Sequence, residues 1–218
     1  MEMDQCLTQA GGKLLTGESC KDFAKLLASK ASVPGGGGAA ALVGALGVAL
    51  CSMVGNFTVG KKKYAAVEEK VKSILERAES LRAQLLDLVD ADARAFAPLA
   101  EAYGIPRDDP SRAEVLESAT LNACKAPAEM VECCARALDL LDEMLEKGSA
   151  MLISDVGCGA LLCRAAMESA AMNVFINTHT LNDRERAQTL ESKIDSTLAE
   201  YGPKALKIVN RVNQAVRG

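Results

Sequence analysis

The sequence predicts an all-α protein: a single-domain, multi-helix bundle around one buried central helix, with no β-sheet. Three observations lead there. Apolar residues recur every three or four positions along most of the chain, and nothing alternates with period two beyond a few residues. Aromatics are only 3% of the 218 residues and Trp is absent, so Ala, Leu, Val and Met must fill the core, which suits close-packed helices. No charged residue occurs between Lys30 and Lys61, although 25% of the chain is charged. A helix apolar on all sides is wrapped by protein or by lipid.

The elements follow in order. Residues 1–17 have no clear period and are expected to form a loose arm. Ser19 and Asp22 make a capping box for a short helix through Phe23, Leu26 and Leu27 to about Ser29. Pro34 and the glycines Gly35, Gly36, Gly37 and Gly38 precede the central helix, read over residues 39–54. Its stripes of small residues (Ala40, Gly44, Val48 and Gly47, Cys51, Gly55) let neighbouring helices approach closely. From about Lys62 to Tyr103, Val67, Val71, Ile74, Ala78, Leu81, Leu85 and Leu88 repeat at helical spacing, until Gly104, Pro106 and Pro110 end the run. Further helices are expected over 111–124, 127–147 and 149–178, the last again poor in charge. One over 184–201 is broken by Gly202 and Pro203, and a final amphipathic piece follows.

Bulk properties exclude several classes. A net charge of −4 with dispersed basic residues argues against a general nucleic-acid binder. The eight cysteines show no C-x-x-C and no paired histidine, so no metal site is expected; thiols among alanines and leucines act as small hydrophobes. Free thiols and an acidic N-terminus without a signal peptide point to the cytoplasm. The 16 apolar residues 39–54 fall short of the roughly 20 that a membrane span needs, so no membrane association is expected.

Four consecutive glycines leave backbone open to close approach, and the N–H groups of a helix starting there face that space. The alternative is a flexible turn before a core helix. Three acids interrupt apolar patterns: Asp92, Asp155 and Glu168. Each either bridges helices or carries chemistry, since a buried carboxylate must be paired, hydrogen-bonded or protonated. Asp90 reads as a surface pair with Arg94. Asn173 and Asn177 share a face near a helix end, and His179, the only histidine, reads as a helix-end residue. Lys61, Lys62 and Lys63 either bind an anion or form a solvated exit. Asp155 and Asn177 lie about 33 Å apart on a straight helix. Either Asn177 is structural, or the helix breaks, or a second subunit completes the site.

The stretch PGGGGAAALVGALGVALCSMVGNFTVGKKKY, with DADARAFAPLAEAYGIP, NACKAPAEMVECCARALDLL and SDVGCGALLCRAAMESAAMNVFINTHTLND in collinear order, resembles the cyclodeaminase/cyclohydrolase family. This is the domain forming the second half of formiminotransferase-cyclodeaminase, here as a stand-alone relative. The resemblance implies an all-α fold, dimeric or a ring of dimers, acting on one-carbon tetrahydrofolate derivatives without a metal or separate cofactor. The implied activity is cyclodeamination of 5-formiminotetrahydrofolate to 5,10-methenyltetrahydrofolate and ammonia. The alternative is hydrolysis of the methenyl compound to 10-formyltetrahydrofolate; one from another class is a non-catalytic helical binding protein.

Within that frame Asp155 is the first choice for the catalytic carboxylate and Asp92 the second. Residues 35–38, Ser154 and Asn177 are expected to bind substrate, and Lys61, Lys62, Lys63 and Tyr64 its anionic glutamates. The glycine backbone is expected to meet an electron-rich end of the ligand, not its cation. The family's usual serine is replaced by Gly38, which puts one hydroxyl contact in doubt. Residues 67–88 are the candidate dimer surface.

Overall fold

The computed structural model describes residues 14–218. The loose arm expected over 1–17 lies mostly outside them. Residues 15–17 form a 3-10 turn that is tied down: the Leu15 N–H donates to Asp90 Oδ1 (2.6 Å) and the Thr16 hydroxyl to Oδ2 (2.9 Å). Asp90 is therefore buried and holds this segment, rather than forming a surface pair with Arg94. The sequence offered it only Arg94 one turn on, and its actual partners lie about 75 residues away.

Ser19 caps α1 (Cys20–Leu27) by accepting the Asp22 N–H. Then α2 (Gly36–Asn56) starts inside the glycine run, so Gly36, Gly37 and Gly38 form its first turn instead of preceding it. At 21 residues α2 is longer than expected, and both it and residues 150–178 are long and apolar enough to cross a membrane. The length argument against a span thus fails. What the structure does show is α2 packed against neighbours that bury eleven of its residues.

Those neighbours are α3 (Glu68–Tyr103), α5 (Lys125–Lys147) and α6 (Ile153–Thr178). A 3-10 turn over Lys62–Val67 leads into α3, and α4 (Arg112–Ala123) links α3 to α5. α2 and α6 run antiparallel: Gly36 stands beside Asn173, and Gly47 beside Gly159 and Cys163. At that crossing each glycine's absent Cβ would lie 3.0 Å from the other's carbonyl oxygen, so the backbones meet as only glycines allow. Cys51, Cys134 and Cys163 gather nearby. Burial pushes the Cys51 thiol up to about 12 and raises the other two well above the ordinary range, so all three stay neutral.

The α3 residues Val71, Ile74, Ala78, Leu81, Leu85 and Leu88 are core. They cannot serve as a dimer surface, because α2 and α5 already cover them.

The last helix, α7 (Arg184–Arg217), runs through Gly202 and Pro203 without a break. Its buried residues Ile194, Ala205, Ile208 and Val212 keep one register across the proline. Asp139 of α5 accepts from Tyr201 and Lys204 on either side of it. Packing and these bonds outweigh the roughly 3 kcal/mol that an internal proline costs.

Candidate active site

The glycine turn makes a site because of what α3 places against it. A carboxylate four residues before Phe96 and three after Val89 sits on the inward face of α3, level with the start of α2. There the Gly38 N–H is directed towards the Asp92 carboxylate and favours its ionised form. A Cβ on Gly37 would lie 2.4 Å from Asp92 Oδ1 and 2.5 Å from Oδ2. Ala39 already bonds to the Gly35 carbonyl, so Gly36 and Gly37 keep the unused N–H groups of the first turn. Desolvation raises the Asp92 pKa above the usual carboxylate range, and the Gly38 N–H offsets part of that.

A cleft of about 300 Å³ opens here. Asp92, Phe96, Leu99 and Tyr103 line one wall, spaced +4, +3 and +4 along a single stripe of α3. Asn173, Ile176 and Asn177 of α6 form the opposite wall, and Ser32, Val33, Gly35, Gly36 and Gly37 close the end. The Asn173 amide donates to the Ser169 carbonyl (2.8 Å), which leaves its oxygen as an acceptor for a ligand. The cleft thus combines one desolvated carboxylate, two open backbone donors, two carboxamides and two aromatic rings. Such a set can hold a flat ligand with polar edges and place a proton acceptor beside it.

The structure divides the residues put forward from sequence between two ends of the molecule. Gly35, Gly36, Gly37, Asp92 and Asn177 come together at the cleft. Gly38 contributes its N–H, but a side chain there would face Pro34 (3.3 Å) and Val89, outside the cleft lining. The other candidates sit some 30 Å away, at the C-terminal end of α2. Asp155 and Ser154 occupy the first turn of α6, with Asp155 half-buried and Ser154 exposed. Lys61, Lys62 and Lys63 are exposed; Lys61 lies over the Phe57 ring and Lys63 over Tyr64. The Tyr64 hydroxyl accepts the Ala150 N–H and so joins two loops. Glu168 is no buried acid, for Arg164 pairs with it one turn away at 2.7 Å. His179 is an exposed helix-end residue.

Phe96, Tyr103, Asn173 and Ile176 were not put forward as ligand contacts. The stripe running from Asp92 to Tyr103 was readable from helical spacing once Asp92 was the starting point.

Three comparisons bear on this arrangement. The family model described as formiminotransferase-cyclodeaminase matches residues 19–196. A methenyltetrahydrofolate cyclohydrolase of Methylorubrum extorquens is 39% identical over 203 residues, covering 91% of this chain and 98% of that protein. The mouse formimidoyltransferase-cyclodeaminase is 31% identical over 195 residues, and there the match spans only 36% of the relative. Among solved structures, a formiminotetrahydrofolate cyclodeaminase from Thermotoga maritima superposes with a TM-score of 0.78 at 30% identity, covering 92% of this chain and 96% of that one.

Proposed function

Because the chain belongs to the formiminotransferase-cyclodeaminase family, an enzyme family acting on folate amidines, we propose that it hydrolyses 5,10-methenyltetrahydrofolate to 10-formyltetrahydrofolate. The observation that carries the chemistry is Asp92, a desolvated carboxylate held against the first turn of α2. The resemblance alone put cyclodeamination first. A stand-alone cyclohydrolase relative aligned over nearly its whole length moves hydrolysis ahead.

The methenyl carbon is an amidinium shared between N5 and N10. Ionised Asp92 attracts that cation and removes a proton from an attacking water, forming a C–O bond and a neutral carbinolamine. Asp92 then returns the proton to N5 as the C–N5 bond breaks. The hydroxyl proton leaves to solvent, and the carbon remains on N10 as formyl. Water supplies the oxygen and one net proton is released. The Gly36 and Gly37 N–H groups and the Asn173 and Asn177 amides serve the polar edge of the ring, with Asp92 between the glycine turn and the cation.

Cyclodeamination is the second reading, favoured by the likeness to the Thermotoga enzyme. There N10 attacks the formimino carbon and ammonia leaves, with Asp92 carrying the proton between the two nitrogens. The rival is a non-catalytic binding protein, for which the glycine in place of the family's usual serine would count as a decayed site; a Cβ at Gly38 would stand against Pro34 and Val89. Following the methenyl absorbance with purified protein separates all three. Loss from methenyltetrahydrofolate supports hydrolysis; appearance from 5-formiminotetrahydrofolate with ammonia release supports deamination. No change in either assay leaves only binding.

Self-association belongs to the same proposal. On the side of α2 and α6 away from α5, Val43, Leu46, Leu50, Met53, Phe57, Cys158, Leu161, Ala165, Met172 and Ile176 form a mainly apolar face bordered by the Arg164–Glu168 pair. Leu46, Leu161, Met172 and Ile176 are 49–69% exposed on it. Two helices side by side offer roughly 600 Å², close to the ~800 Å² per partner of a standard interface. A second copy packed there with its helices reversed would carry its basic end towards this cleft.

A further inference from the structure

The cleft continues beyond Tyr103. That residue also lines a neighbouring hollow of about 340 Å³, with Arg107, Asp109, Arg112, Leu116, Glu117, Thr180 and Asn182 around it. The far wall is continuous as well: α6 supplies Ile176 and Asn177 to the cleft, and the turn after it supplies Thr180 and Asn182 to the hollow.

Most charged groups of this hollow are already engaged. Glu117 accepts the Asn182 and Asp183 backbone N–H groups and the Asn182 amide, which hold its carboxyl below the usual range. Asp109 accepts the N–H and hydroxyl of Ser111. Arg112 donates to the Tyr103 and Ile105 carbonyls and so fixes the turn after α3. Arg107 is exposed, and none of the ion pairs among the described residues includes it.

We propose that Arg107 binds the glutamate carboxylate of the substrate's tail, within the same chain as Asp92. This rests on the folate reading above. Asp92 and Tyr103 are 11 residues apart on α3, about 16 Å. An aminobenzoyl ring with an attached glutamate, extending from a carbon held at Asp92, runs a distance of that order past Phe96 and Tyr103. Flat rings stack on such aromatics, and a guanidinium at the end of the track matches a carboxylate with paired donors. Lys61, Lys62 and Lys63 lie at the other end of α2 and cannot reach this tail within one chain. Arg112 acts as a positioning residue: its Nη1 donates to the Tyr103 and Ile105 carbonyls and ties the guanidinium to the turn.

The test compares 5,10-methenyltetrahydrofolate with 5,10-methenyltetrahydropteroate, which ends at the benzoate. The unmodified protein should prefer the glutamate-bearing substrate. Arg107→Ala should raise its KM about tenfold, mainly in KM rather than kcat, and erase the preference; Arg107→Glu should go further. An Arg107→Ala protein that keeps the preference overturns the assignment while leaving the proposed function standing. Loss of the preference in a Lys61, Lys62, Lys63→Ala triple variant, with Arg107→Ala unaffected, places the tail at the basic end of a second copy. If the unmodified protein turns over neither substrate and binds neither, the functional reading fails and this assignment fails with it.

Discussion

Gly37 and Asp92 occupy space that a single methyl group would close. The absent Cβ of Gly37 would stand 2.4 Å from Asp92 Oδ1, about 1 Å inside ordinary van der Waals contact. The helix start and the carboxylate are therefore matched as a pair. Gly37→Ala should displace the carboxylate by about that amount and lower turnover roughly 100-fold, with helicity unchanged. Normal kinetics in this variant would reduce the glycine to a turn residue.

Asp92→Asn should lower turnover at least ~100-fold, the smaller end of the loss for a general acid–base group. If Asp155→Asn is the inactive variant and Asp92→Asn turns over normally, the chemistry lies at the opposite end of α2.

The same substitution predicts a pH-dependent gain in stability. The folded pKa of Asp92 is raised by desolvation, so folding favours the protonated acid. That contribution is fully present below the unfolded pKa and is lost as pH rises through the raised folded value. Near neutral pH the ionised acid destabilises the fold, and Asn relieves this. Thermal melts should show the variant's Tm advantage growing from acid to neutral pH. In the unmodified enzyme the acid limb of kcat/KM, which reports the free enzyme, should fall at a higher pH than an ordinary carboxylate gives. A Tm difference independent of pH would separate Asp92 from this role.

A dimer through α2 and α6 should resist micromolar dilution and shield the Cys158 thiol, which is exposed in the single chain. Leu46→Glu combined with Leu161→Glu should yield a folded monomer in which Cys158 reacts freely with a maleimide. Sedimentation of the unmodified protein as a monomer with a reactive Cys158 would remove the proposed face.

Asp90→Ala should cost about 1.5–3 kcal/mol, the range for bonds to a charged acceptor, because the Leu15 N–H and Thr16 hydroxyl lose their partner. A smaller loss would show that residues 15–17 contribute little to the folded state.

Helical periodicity, the scarcity of aromatics and the charge-free run after Lys30 were enough to specify an all-α chain around α2, because each reports on local burial. The same signals marked Asp92 and the glycine turn as unusual. They did not order Asp92 against Asp155, since both interrupt apolar patterns and periodicity carries no information about which neighbour lies opposite. Only the packing of α3 against the start of α2 set Asp92 beside Gly37, and only the antiparallel course of α6 brought Asn173 and Asn177 there while carrying Asp155 to the far end. Asp90 changed from a surface acid to a buried anchor for the same reason: its partners are about 75 residues away in sequence. Gly202 and Pro203 carry a local preference to break a helix, and the register of Ile194, Ala205, Ile208 and Val212 against α5 and α6 overrides it.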